Sequence, residues 1–205
     1  MDDVAEHERT DSASSINVSN LERHCILGTG ELANVYLATD KTTSKKYALK
    51  VFDKLHMFEH TAGFDAVKSM NREARVLRMI SSPFVLRGIK AWQDETTVNF
   101  LLPLIQGGEL SRRLHEYTSE THEQGLPPDH ALFYSACIAE ALSHMHERNI
   151  AYRDLKPDNV MLDEQGYCVL IDLGFTKIVT DKVCHAITTG VRACVRIPVV
   201  SWAMF

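Results

Sequence analysis

Tyr152-Arg153-Asp154-Leu155-Lys156-Pro157-Asp158-Asn159 is the stretch on which the reading of this chain turns, because charged and amide side chains alternate there with apolar ones. Upstream, Pro127-Pro128 opens a helix that runs to about Glu147, with Phe133, Cys137, Ala141, Leu142 and Met145 along one side at helical spacing. Downstream, Asn159-Val160-Met161-Leu162 and Cys168-Val169-Leu170-Ile171 flank a turn at Asp163 to Gly166, which predicts a short hairpin. Asp172-Leu173-Gly174 follows at the hairpin's far end. The stretch is therefore a loop held between a long helix and a hairpin.

Nearer the N-terminus the pattern is strand-like. Cys25-Ile26-Leu27, Val35-Tyr36-Leu37-Ala38 and Tyr47-Ala48-Leu49-Lys50-Val51-Phe52 are β-prone runs separated by Gly28-Thr29-Gly30 and by the polar turn Asp40 to Lys46. They predict an antiparallel meander. A helix follows over about Phe64 to Ile80, where Ala66, Met70, Ala74, Leu77 and Ile80 recur three and four apart before Pro83. Strands are expected around Leu86 to Gln93 and Val98 to Leu102, and Gly107-Gly108 then joints the chain before it turns helical. Residues 1–20, rich in Asp, Glu and Ser, bury too little apolar surface to offset their ordering entropy and read as a disordered leader. The class is α+β: a β-rich lobe with one long helix, then a helical lobe carrying a hairpin.

Composition narrows the function classes. Hydrophobic residues at 45% and charged residues at 24% of 205 describe a globular chain with a real core. The net charge of −5 gives no support to a nucleic-acid or anionic-membrane partner. The five cysteines lack a C-x-x-C pair, so reduced thiols are expected rather than a disulfide framework. No apolar run is long enough for a membrane span, and the acidic Met1-Asp2-Asp3 start resembles no signal peptide, so the expected location is cytoplasmic.

Three features each carry two readings. Gly28-Thr29-Gly30-Glu31-Leu32-Ala33-Asn34-Val35 is either a plain hairpin turn or a backbone cradle for phosphate, with Ala33 tolerable in a glycine's place if its φ is negative. No helix opens after these glycines and no Gly-Lys-Ser/Thr follows, which sets aside dinucleotide and P-loop sites. Lys50 is either an edge lysine reaching water or a phosphate-holding cation paired with a carboxylate of the next helix. Glu73 is the best-placed carboxylate, although the same residue would serve as an ordinary charge on a helix face. His144 and His146, two apart on a helix, face different ways and read as ordinary helix histidines.

Taken together, the Gly-rich turn, Lys50, Glu73, Tyr152 to Asn159 and Asp172-Leu173-Gly174 occur in an order that resembles the eukaryotic protein kinase catalytic domain. The resemblance implies a bilobal fold, ATP and Mg²⁺, and transfer of the γ-phosphoryl group to protein Ser or Thr. Within it, Asp154 would take the substrate hydroxyl's proton, and Lys156 would neutralise charge on the transferring group. Asn159 and Asp172 would hold Mg²⁺, and Lys50, held by Glu73, would fix the α- and β-phosphates. Leu27, Gly28, Gly30 and Val35 would cover the nucleotide. Ala48 and Met161 would sandwich adenine with Val35, and Pro103 to Ile105 would form the hinge, with Leu102 as gatekeeper. Arg153 would pair with a phosphorylated residue of the activation segment, for which Thr188 is the candidate.

Tyr152 stands where the family has His and Leu173 where it has Phe; both are bulky and would pack beneath Leu77. Lys156-Pro157 points to Ser/Thr rather than Tyr specificity. Gly107-Gly108-Glu109-Leu110 and Asp172-Leu173-Gly174-Phe175 resemble the AGC group, cyclic-nucleotide-dependent kinases in particular. There the position of Glu109 contacts ribose and favours basic residues ahead of the target. Regulation by cyclic nucleotide would need a separate subunit or further sequence, because these 205 residues carry no such module.

The resemblance divides the chain into an N-lobe over 21–105 and a partial C-lobe over 106–189. Residues 190–205 hold no A-P-E and form an apolar tail with Val195, Ile197, Trp202 and Phe205. An incomplete C-lobe exposes apolar surface on the helix from Pro128, and dependence on a partner is expected. The alternative is an impaired kinase fragment that binds ATP or a regulatory partner without transferring phosphate.

Overall fold

The computed structural model describes residues 16–60, 64–122 and 125–179. The expected activation-segment phosphosite Thr188, the apolar tail and most of the expected leader lie outside the described residues. Ile16 to Asn20, assigned to the same leader, carry structure instead. Asn17 Oδ1 accepts from Ser19 N–H and caps a 3-10 turn at Val18–Asn20, and the Ile16 carbonyl accepts from Lys90 Nζ at 2.6 Å.

The expected meander is present as β1 (Leu21–Thr29), β2 (Asn34–Asp40) and β3 (Lys46–Asp53). A helix that sequence reading did not anticipate, α1 (Lys54–His60), leads to α2 (Phe64–Met79). Next come β4 (Lys90–Gln93) and β5 (Thr97–Pro103), and the antiparallel sheet runs β1-β2-β3-β5-β4. The strand expected from Leu86 begins only at Lys90. Residues 84–86 instead bond to the hairpin below, with Leu86 N–H donating to the Leu170 carbonyl and Leu170 N–H to that of Phe84, both at 2.8 Å.

The two-residue strand period decides which face each β3 side chain takes. Tyr47, Leu49 and Val51 enter a small cluster with Ala38 and Leu101 on one face. Ala48, Lys50 and Phe52 take the other, toward the main core and the cleft. Register places Val35 opposite Lys50, and Leu102 opposite Ala48.

The second lobe begins with α3 (Leu110–Thr121) and α4 (Pro128–Glu147). In α4, Pro at the first turn costs no hydrogen bond, and Cys137, Ile138, Ala141 and Met145 form the buried face. Phe133, expected on that face, is 41% exposed and sits 5.3 Å from the Tyr167 ring, beside the 71% exposed Leu132. The core reaches only the middle and end of α4. Short strands β6 (Ile150–Ala151) and β9 (Lys177–Ile178) pair around the loop, and β7 (Val160–Leu162) with β8 (Cys168–Leu170) make the hairpin.

One core joins the lobes, with Val76 and Leu77 of α2 and Ile80 just beyond it in the same cluster as Met145, Tyr152, Leu170 and Leu173. Tyr152 and Leu173 thus lie in the core with Leu77, as their bulk suggested, and both are buried. At the joint, Gly107 N–H donates to the Leu162 carbonyl at 2.9 Å and Leu162 N–H to the Gly108 carbonyl at 2.8 Å. A Cβ at Gly107 would stand 2.5 Å from the Leu162 oxygen, so any larger residue would force the chain off the hairpin. These residues supply a complete five-stranded N-lobe and the first part of a helical C-lobe, so the fold is bilobal and α+β.

Candidate active site

Lys50 leaves β3 on the cleft side and its Nζ donates to Glu73 Oε1 at 2.6 Å. Glu73 is 5% exposed, because its position on α2 shares a face with Val76, Leu77 and Ile80. Burial pushes its carboxyl above the usual range, more than the Lys50 charge lowers it, and the nearby negative Asp172 adds to the rise. Of the two readings of each residue, the structure therefore shows the pair.

Across the cleft, the loop folds on its own side chains. Asn159 Nδ2 donates to the Asp154 carbonyl at 2.8 Å and to Asp154 Oδ2 at 2.7 Å. Lys156 Nζ meets the same Oδ2 at 3.0 Å, and that hydrogen bond raises the lysine's pKa. One carboxylate is thus held by an amide and a cation. With its nitrogen committed to Asp154, the Asn159 amide keeps its oxygen as the group able to meet a cation.

Asp172 has φ +44, an uncommon conformation for a residue with a side chain. Several contacts hold it there. Asp172 Oδ1 accepts from Gly174 N–H at 3.2 Å. Tyr152 Oη donates to the preceding Ile171 carbonyl at 2.6 Å, and burial together with the Asp172 and Asp154 charges pushes the phenol's pKa up, keeping it a donor. From α2, Ser69 Oγ and Arg72 both donate to the Gly174 carbonyl, at 2.9 and 3.3 Å. Ser69 and Arg72 were not singled out from sequence; they lie more than a hundred residues from a main-chain acceptor, which carries no residue-type signal.

Arg153, φ +71, donates to the carbonyls of Phe175 at 2.8 Å and Thr176 at 3.5 Å. Its expected phosphorylated partner lies outside the described residues.

The expected nucleotide-contacting residues fall on five strands and the segments that join them. Leu27, Gly28 and Val35 come from β1 and β2, with Gly30 in the turn between them, whose N–H bonds the Ala33 carbonyl at 2.8 Å. Ala33 is not among the residues with positive φ, so it replaces a glycine without strain. Ala48 and Pro103 lie on neighbouring strands, with Ile105 just beyond, while Glu109 pairs through its backbone with Met161. Among the described residues no cluster of three or more His, Cys, Asp or Glu exists that could hold a metal. Two oxygen donors, Asn159 and Asp172, fit a cation such as Mg²⁺ that takes few protein ligands and fills its shell with phosphate and water.

Other expectations were simpler. His144 Nε2 accepts from Ser81 N–H at 3.3 Å, a structural contact. Cys25, Cys137 and Cys168 are free thiols. No helix among the described residues is long and apolar enough to cross a membrane.

Comparison with known proteins agrees with the geometry. Residues 21–193 match the family model described as protein kinase domain. The chain is 34% identical over 176 residues to cAMP-dependent protein kinase type 3 of Saccharomyces cerevisiae, covering 83% of this chain and 40% of that protein. It is 33% identical over 169 residues to cAMP-dependent protein kinase catalytic subunit 2 of Drosophila melanogaster, 81% of this chain and 44% of the relative. A cAMP-dependent protein kinase catalytic subunit of Arthrobotrys oligospora is 36% identical over 155 residues, 76% of this chain and 28% of its own length. The chain thus spans less than half the length of these relatives. A five-stranded sheet with a lysine–glutamate bridge to its helix, the loop from Tyr152 to Asn159 and the matched family model all say the same thing: this chain belongs to the protein kinase domain family.

Proposed function

We propose that this chain is the catalytic unit of an ATP-dependent protein serine/threonine kinase. The observation that carries the reading is the Asp154 carboxylate held by Lys156 and Asn159, with Asp172 brought beside them by the Ile171 N–H, which donates to the Asn159 carbonyl at 3.0 Å. ATP is the phosphoryl donor, and Asn159 and Asp172 would hold Mg²⁺, which when bound would supply charge neutralisation at the phosphates. Lys50, braced by Glu73, positions the α- and β-phosphates. Asp154 receives the proton of the attacking hydroxyl, and Lys156 offsets charge on the transferring group. Little covalent work falls to the protein, so positioning and charge stabilisation account for the catalysis.

Residues 21–105 form the nucleotide-binding lobe, and residues 106–189, a partial C-lobe, supply the catalytic and metal-binding loops. Val35, Ala48 and Met161 sandwich the adenine, Pro103 and Ile105 meet its edge, and Leu27 with the two glycines covers the nucleotide. Glu109 is exposed beside the cleft and provides a carboxylate for ribose and for basic residues ahead of the target. A relative named as a serine/threonine-protein kinase supports protein Ser/Thr as the acceptor class, and one named as a catalytic subunit supports a further subunit as a partner.

A second reading, nucleotide or partner binding without transfer, is favoured by the exposed Leu132 and Phe133 on α4. Incubating the full chain with ATP, Mg²⁺ and a serine peptide bearing upstream arginines separates the two. Transfer that falls about 10²- to 10⁴-fold in Asp154→Asn, with ATP affinity retained, supports the kinase. ATP binding with transfer no higher than in Asp172→Asn supports the second reading. A chain that binds no ATP refutes the kinase and reduces the second reading to partner binding.

A further inference from the structure

α1 was not anticipated from sequence, yet it reaches the Gly-rich turn. It is firmly mounted. Asp53 Oδ1, at the end of β3, accepts from His56 N–H at 3.0 Å and caps the helix. Lys54 ties the same end to the β4–β5 turn, its N–H donating to the Thr96 carbonyl at 2.9 Å and its Nζ to that of Asp94 at 2.5 Å. Met57, 2% exposed, seats the helix on the core. From this platform His56 Nε2 lies 3.1 Å from the Glu31 carbonyl oxygen. A carbonyl only accepts, so the imidazole donates through Nε2.

The direction of that bond matters for the turn. Among the described residues there is no cis peptide bond, and in a trans peptide the carbonyl and the next N–H point in opposite directions within one plane. Holding the Glu31 oxygen against α1 therefore aims Leu32 N–H away from α1. The turn's own bond, Gly30 N–H to the Ala33 carbonyl, closes its ends and leaves the orientation of the Glu31–Leu32 plane to be set from outside.

We infer that His56 is a positioning residue for nucleotide binding, a latch from α1 that orients the backbone donors of the Gly28–Val35 turn toward phosphate. The inference rests on the reading of that turn as a phosphate cradle. It assigns His56 a role in phosphate recognition and none toward adenine or ribose. Because only a donor is required, glutamine can substitute for the imidazole.

Titration calorimetry of the full chain with Mg²⁺–ATP and, separately, with adenosine tests this. His56→Ala should weaken ATP binding about two- to tenfold, the range for one hydrogen bond, and leave adenosine binding unchanged. His56→Gln should recover the ATP affinity. The latch is overturned if His56→Ala binds ATP as the wild type does, if ATP and adenosine weaken equally, or if His56→Gln is no better than His56→Ala. If the wild-type chain binds adenosine but gains nothing from the phosphates, the cradle reading itself fails, and the latch with it.

Discussion

Lys50 on β3 and Glu73 on α2, 23 residues apart, share one buried ion pair of 2.6 Å that fastens the helix to the sheet. The pair is also a pH-dependent element of stability. Burial raises the Glu73 carboxyl above 4.5, so the folded protein holds that proton more tightly than the unfolded chain does. Stability from this group is therefore fully present below 4.5 and declines as pH rises from there through the raised value. Urea midpoints of wild type should fall relative to Glu73→Gln over that window. Parallel midpoint curves for the two proteins would contradict it.

Tyr152→Phe should remove a single buried hydroxyl and expose its two duties. The Ile171 carbonyl loses its 2.6 Å donor, which costs about 1–3 kcal/mol in a urea titration. Asp172, held at φ +44 just beyond that carbonyl, loses a support, and half-maximal ATP binding should then require more Mg²⁺. A stability loss with unchanged Mg²⁺ dependence would limit Tyr152 to packing.

Gly28→Ala should separate folding from binding. Gly28 has no positive φ, and a Cβ there meets nothing within 4 Å, so the fold does not need the glycine. Alanine should stabilise the chain by about 0.4–1 kcal/mol through the unfolded state. ATP affinity should fall, since the methyl fills space left beside the turn. Unchanged affinity would mean that phosphate does not approach there.

Thiol labelling at neutral pH should distinguish the described cysteines. Cys25 is exposed, whereas Cys137 and Cys168 are buried, and burial with the neighbouring Cys137 pushes the Cys168 thiol up to about 12. Mass mapping of a brief alkylation should find Cys25 modified and the other two intact until denaturant is added.

Much of this was legible because it is local. Pro127-Pro128 marks where α4 starts, and strand alternation places Lys50 on the side opposite Leu49 and Val51. The loop from Tyr152 to Asn159 reads directly because the contacts of Asp154 with Lys156 and Asn159 are two and five residues apart. What stayed hidden depends on distance or on main chain. α1 shows no apolar period, since only Met57 of its apolar residues is buried; it forms around the Asp53 cap and the anchored Lys54. β6 and β9 are two residues each and exist only as a pair. Phe133 fits the helical period of α4 yet lies beyond the reach of the core, a matter of where the neighbours end rather than of its own position.

The reciprocal bonds of Gly107 and Leu162 have a mechanical corollary. They weld the chain leaving β5 to the hairpin that carries Met161, and Gln106 reinforces the weld by donating to Glu164. Along the chain leaving β5, any bend between sheet and hairpin is thereby confined to the few residues from Pro103 to Gln106. In the proposed adenine slot, the ceiling at Ala48 travels with the sheet and the floor at Met161 with the hairpin. The gap between those two side chains is then a caliper for the angle between the lobes, and a purine that fills it sets that angle.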